Sequence, residues 1–184
     1  MDDANRLKIL GDTRRDVFSS SEMRDLWRDK VGTAKAAVKR MVKKGVLIKL
    51  SKGYYSLKQD FNIWELANLI ISPSYISLNS ALFYHGISFQ AATRVTSVAT
   101  LHYEREIGEH LFKYYAMKEA LFFNIEGINC KDAVSIARPE RALLDCFYFG
   151  VLPNIDNPEK INKSYLQKIS AFYPKTVRGK ALSL

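Results

Sequence analysis

The 184 residues are 47% hydrophobic and 26% charged, with a net charge of +9, which suits one large or two small packed domains. That charge is uneven: residues 1–58 hold 15 Lys+Arg against 7 Asp+Glu, residues 59–158 hold 7 against 11, and residues 159–184 hold 6 against 1, a distribution that points to a polyanionic partner. A membrane span of roughly 18 apolar residues is excluded, since the best run, 63–71, contains Glu65 and Asn68, and MDDANRLKIL lacks the apolar core of a secretory signal.

In chain order, residues 4–10 (ANRLKIL) predict a first helix, followed by a short extended piece at Val17-Phe18. Ser19 to Glu22 matches a capping box, in which a Ser side chain accepts from free backbone N–H groups and the Glu reaches back. It opens a second helix to about Arg28, with Met23, Leu26 and Trp27 on its apolar side. Residues 29–32 form a turn, residues 33–44 a third helix, and Gly45 is its C-terminal stop. Residues 46–50 and 54–57 are β-rich around a tight Ser51-Lys52-Gly53 turn. Three helices and a hairpin in about 58 residues is the order of a winged helix-turn-helix. The sign of the charge flips next, so a boundary is expected there: 1–58 as a winged helix, 59–184 as a mixed α+β domain.

In that second part, residues 63–71 are helical from Asn62, and Ser77 caps a helix from Leu78 to His85 that Gly86 stops. Strands are expected at 95–101, 111–117, 121–125 and 133–137. Pro139 suits the first turn of a helix running to about Phe149, with Ala142, Leu143 and Cys146 on its core face. A last helix is expected at 163–172, before Pro174.

The third helix carries the chemistry. On a 100° wheel, Ala34, Val38, Met41 and Val42 fall on one face, and Thr33, Ala36, Lys39, Arg40, Lys43 and Lys44 on the other. With the apolar stripe packed inward, the basic strip matches a major groove in width. Residues near the start of such a helix reach base edges, which makes Thr33, Lys35, Ala36 and Lys39 candidate base contacts. Arg40, Lys43, Lys44, and Lys49 and Lys52 on the hairpin, are candidate phosphate contacts, and the free N–H groups at the helix start add an anion site. Residues 30–58 contain no acid, which a merely solvated surface does not require. No RNA-binding signature accompanies them, so double-stranded DNA is the expected partner. The basic segment 160–180 reads as a second DNA-contacting patch or as a solvated helix.

The rest of the chain offers no cofactor motif and no metal spacing among His85, His102 and His110. Cys130 and Cys146, without a CxxC, read as small buried apolar groups of a cytoplasmic protein. Glu104, Glu106, Glu126, Asp132, Glu140 and Asp145 have no spacing that singles out a two-metal nuclease.

Two stretches are distinctive: SPSYISLNSALFYHG (72–86) and ARPERALLDCFYF (137–149). With KKGVLIKLSKGYY in the head, they resemble the AbiE-type (AbiEi-like) antitoxins of bacterial abortive-infection systems. The family's Tyr-Ile-Ser, Ser-Ala-Leu and His-Gly correspond to Tyr75-Ile76-Ser77, Ser80-Ala81-Leu82 and His85-Gly86, and its Pro-Glu-(Lys/Arg)-Ala-Leu-Leu-Asp to Pro139 to Asp145. The resemblance runs to about residue 150. It implies a regulator that represses its own operon and counteracts a nucleotidyltransferase-type toxin, without being an enzyme itself. Two other readings stay open: a stand-alone winged-helix transcription factor whose body senses a ligand or forms a homodimer, and a DNA-acting enzyme with an acidic site.

Overall fold

The computed structural model describes residues 1–91 and 93–183. Its first unit, Met1–Ile70, is built from α1 (Asp3–Asp12), β1 (Val17–Ser19), α2 (Ser20–Trp27), α3 (Val31–Lys43), β2 (Ile48–Ser51), β3 (Tyr54–Ser56) and α4 (Ile63–Ile70). Local chemistry sets most of these boundaries. The expected capping box opens α2: Ser19 Oγ accepts from Glu22 N, and the Glu22 carboxylate accepts from Ser19 N at 2.9 Å. Arg28, in the left-handed region at φ 53°, ends it. The next helix starts two residues earlier than expected. Lys30 is its N-cap residue without a side-chain cap, and Ala34 N already donates to Lys30 O at 3.0 Å. Gly45, at φ 72°, closes it in a Schellman motif: Gly45 N donates to Val42 O and Val46 N to Met41 O.

Leu10, Phe18, Met23, Trp27, Ala34, Ala37, Val38, Met41 and Leu47 form the core of this unit, with Val42 and Tyr55 partly buried against it. Leu26, expected inside, is exposed, because the core side of α2 is carried by Met23 and Trp27 alone. The three strands pair antiparallel in the order β1-β3-β2, with Phe18 opposite Tyr55 and Lys49 opposite Tyr55. α4 packs on β1, and the buried Glu65 carboxylate accepts from Asp16 N at 2.8 Å and Val17 N at 3.3 Å. The division between units therefore falls after Ile70, not after Lys58. The change of charge sign at Lys58 marks a surface property, whereas α4 is held by backbone groups of the first unit.

The second unit, Ile71–Leu184, contains β4 (Tyr75–Ile76), α5 (Leu78–Tyr84), β5 (Arg94–Ala99), β6 (Tyr103–Ile107), β7 (His110–Ala116), α6 (Glu119–Phe122), β8 (Ile128–Lys131), β9 (Val134–Ala137), α7 (Pro139–Phe149), α8 (Lys163–Ser170) and α9 (Lys175–Leu182). The protein is α+β. Six strands form one mixed sheet in the order β6-β7-β5-β4-β9-β8, parallel at β5/β7 and β4/β9 and antiparallel elsewhere. α7 is the central helix: it packs on α5, α8 and α9 and buries Ala142, Leu143, Leu144 and Cys146. Pro139 occupies its first turn as expected.

Several expectations fail here. Residues 121–125, expected as a strand, form none: Leu121 and Phe122 end the short helix α6, whose Phe122 N donates back to Lys118 O at 2.9 Å, and 123–125 lie beyond it. β4, β6 and β8 were not expected, and α9 follows Pro174, which serves as its N-cap residue. Ser77 stands at the N-cap position of α5 without capping it, since its hydroxyl donates elsewhere. Cys146 is buried as expected, but Cys130 is exposed on β8, with Sγ 3.2 Å from Ser135 Oγ. No helix among the described residues is long and apolar enough to cross a membrane.

Candidate nucleic-acid interface

Of the expected inward stripe of α3, Ala34, Val38 and Met41 are buried and Val42 partly so, and Ala37, not placed there from the sequence, is buried with them. Thr33, Lys35, Ala36, Lys39, Arg40, Lys43 and Lys44 are exposed, as are Lys49 on β2 and Lys52 in the β2–β3 turn. These nine candidates fall into three groups by what they touch.

The first group lines an open groove between α3, the start of α2 and the hairpin. Lys35 and Lys39 enter it from α3, and Lys49 and Lys52 from the hairpin, over an apolar floor that includes Val31, Val38, Val42 and Tyr55. Ser20 N donates to Gly53 O at 2.9 Å, which holds the hairpin turn against the first turn of α2. Ser20, Ser21 and Arg24 of α2 also line the groove, and no acid does. Sequence reasoning missed these three. Arg24 was visible as a cation one turn into a capped helix, but nothing local places it beside Lys49 and Lys52. Its charge is partly answered by Asp25, 2.7 Å from Nη2.

The second group, Thr33, Ala36 and Lys43, faces outward and does not line the groove. The third group is Arg40 and Lys44. Asp3, in the first turn of α1, takes Arg40 Nη2 on Oδ1 at 2.8 Å and Nε on Oδ2 at 3.3 Å, and Lys44 Nζ lies 3.5 Å from Oδ2. The Arg40 hydrogen bonds, followed by the charges of Arg40 and Lys44, hold the Asp3 carboxyl below its ordinary range. Arg40 and Lys44 are thus already answered by an acid in the same unit.

The distinctive stretches of the second unit converge on α7. Asp145 is fully buried. Its carboxylate accepts from Ser77 Oγ at 2.6 Å, Tyr75 Oη at 3.1 Å and Tyr173 Oη, with Arg141 Nε 3.5 Å away. Burial pushes its carboxyl up, against the opposing pull of Arg141 and the three hydroxyls. Arg141, also fully buried, donates to the carbonyls of Leu121, Asn124 and Glu126 and to Tyr75 Oη. His85 is half-buried, its Nε2–H donating to Ala137 O at 2.9 Å. These groups answer one another and bind strand, loop and helix together, which is work for a scaffold.

The remaining acids are dispersed. Glu104 and Glu106 are exposed on β6, with Glu104 paired to Lys113. Glu126 accepts from Tyr165 and Lys168, Asp132 sits in the β8–β9 turn, and Glu140 is buried and accepts from Asn162 N at 2.8 Å. No group of three His, Cys, Asp or Glu among the described residues could hold a metal ion. No family model matches the chain, and no curated protein matches it.

Proposed function

We propose that the chain is a DNA-binding transcriptional regulator with an N-terminal winged helix-turn-helix, antitoxin-like in kind, repressing its own operon and counteracting a nucleotidyltransferase-type toxin. One observation carries the DNA reading: Lys35, Lys39, Lys49 and Lys52 converge from α3 and the hairpin on one acid-free groove. Cations gathered without acids release counterions from a polyanion when they bind it. The 13-residue α3 is about 20 Å long, and a helix of ordinary diameter enters a major groove about 12 Å wide. In this reading α3 is the recognition helix and the β2–β3 hairpin the wing, with Lys49 and Lys52 on phosphates and Lys35 and Lys39 nearest the bases. The antitoxin part rests on the resemblance of residues 72–86 and 137–149 alone.

The test is a salt series of duplex binding, using the DNA upstream of the protein's own reading frame against an unrelated duplex. Two phosphate contacts, from Lys49 and Lys52, give log K a slope near −2 on log salt. Lys49→Ala or Lys52→Ala should weaken both duplexes alike and reduce that slope by about one, whereas Lys39→Ala should cost about 1–3 kcal/mol on the upstream DNA alone. Affinity indifferent to salt, or no binding, overturns the DNA reading. If the operator is an inverted repeat, it calls for a homodimer with half-sites about 34 Å apart or a multiple of that. The antitoxin part is tested by co-expression with a nucleotidyltransferase encoded alongside, where relief of its growth arrest is expected.

A stand-alone transcription factor is the second reading. The observation that favours it is that Tyr75, Ser77, Arg141 and Asp145, the polar centre of the antitoxin-like stretches, are buried and occupied with one another. Failure to relieve toxicity, with upstream DNA still bound, would favour it over the first.

A further inference from the structure

Of the basic residues of α3 and the hairpin, only Arg40 and Lys44 have an acid partner among the described residues. None of the ion pairs among the described residues includes Lys35, Lys39, Lys43, Lys49 or Lys52. The partner, Asp3, comes from a different helix, α1, and holds the Arg40 guanidinium through two nitrogens at once while reaching Lys44 as well. Its side chain keeps only 19% of its exposure, while Arg40 and Lys44 remain 52% and 63% exposed. The acid is tucked in, and the cations it restrains lie at the surface.

We propose that Asp3 is a specificity-determining residue of the DNA interface, withholding Arg40 and Lys44 from the phosphate backbone so that contact is confined to the flank carrying Lys35, Lys39, Lys49 and Lys52. The proposal rests on the duplex-DNA reading above. Its physical basis is that phosphate contacts are indifferent to sequence: each added cation raises affinity for every duplex equally, so it strengthens competitors as much as the operator. A carboxylate that occupies two of those cations lowers generic affinity and leaves base-reading positions such as Lys39 untouched. It also lowers the positive charge on the α1 side of α3, which favours the hairpin side for a phosphate strand. A fork-to-carboxylate pair suits this role, because it fixes the guanidinium's orientation and offsets its charge, so a phosphate gains less from meeting Arg40. Asp3 is moreover favoured where it stands, since the first turn of α1 puts it at the positive end of the helix dipole.

Asp3→Asn removes the restraint while keeping the shape. Binding of an unrelated duplex at about 0.15 M salt should rise about tenfold or more, with the salt slope steeper by about one to two contacts, and the preference for upstream DNA should fall. Arg40→Ala should leave the slope of the otherwise unaltered protein where it was. The same change made on top of Asp3→Asn should take back about one unit of slope. Asp3→Glu, which retains the carboxylate, should behave as the parent does. An Asp3→Asn protein with the parent's slope overturns the proposal, and so does Arg40→Ala alone reducing the slope by about one. Thermal melts establish that each variant folds. If Asp3→Asn does not, Arg40→Ala in the parent still decides, as an unchanged slope supports the proposal and a shallower one overturns it. A parent protein that binds no duplex overturns the DNA reading and this proposal together, whereas parent binding with an inert Asp3 overturns this proposal alone.

Discussion

Asp145 shows what a single buried charge demands. With no solvent at its carboxylate, its charge is answered by Arg141 and the hydroxyls of Tyr75, Ser77 and Tyr173, and Arg141 has no other acid beside it among the ion pairs of the described residues. Asp145→Ala leaves Arg141 buried beside no opposite charge and should destabilise the second unit by about 3–5 kcal/mol, read as a denaturant midpoint. Gly127 supports the same place from the backbone side. It sits at φ 80°, where a side chain is strained, and an added Cβ would lie 3.0 Å from Arg141 Cβ. Gly127→Ala should therefore cost about 1–3 kcal/mol. Gly108 is a matched control: at φ 60° with nothing within 4 Å of the added carbon, Gly108→Ala carries the backbone strain without the crowding and should cost less.

Among the elements, α2 and α4 differ in how far their anchoring could be read in advance. The start of α2 is written in four consecutive residues, Ser19 to Glu22, and the hydrogen bonds form within that span. Ser19→Ala should cost about 1 kcal/mol. α4 is anchored by Glu65, 49 residues along the chain from its partner Asp16 N. Glu65→Ala leaves the N–H groups of Asp16 and Val17 without that acceptor and should cost about 1–3 kcal/mol, lowering the midpoint of the first unit. A midpoint unmoved by Glu65→Ala would mean that α4 is not part of that unit's stable fold. The same contrast runs through the chain. The elements legible in the sequence have their signals within the element itself: the capping box, the Gly45 stop, Pro139 at the head of α7, the amphipathic phase of α3. The two-residue β4 is defined by its neighbours β5 and β9 and has no local signature. Residues 121–125 have strand-forming composition, yet Leu121 and Phe122 are buried from a helical turn. For the candidate interface, phase sufficed to separate exposed from buried positions on α3. It did not reveal that Asp3 holds Arg40, because that pairing depends on how α1 packs across α3.

At the scale of the whole molecule, the two units differ in what acid does to them. All three histidines, His85, His102 and His110, belong to the second unit, and the first has none. Burial, the largest influence on His85, lowers its pKa below the ordinary 6.5 in spite of the Ala137 carbonyl that favours the charged ring. The folded ring consequently binds fewer protons than the unfolded one as pH falls through 6.5, so the stability it contributes is fully present above that value and is lost below it. Asp145 acts in the opposite sense. Burial raises its carboxyl above the ordinary 3.8, so its contribution weakens as pH rises above that value, and a simple melt records the sum of the two. A comparison with His85→Gln separates them, since glutamine offers an N–H to Ala137 O and does not titrate. The drop in melting temperature of the second unit between about pH 7.5 and pH 5.5 should be larger for the parent than for His85→Gln, and an equal drop in both would exclude His85 as its source. The groove cations Lys35, Lys39, Lys49 and Lys52 belong to the first unit, which has no histidine. The salt slope of DNA binding should therefore be the same at both ends of it while the second unit loses stability, provided the protein remains folded at the temperature of the binding measurement.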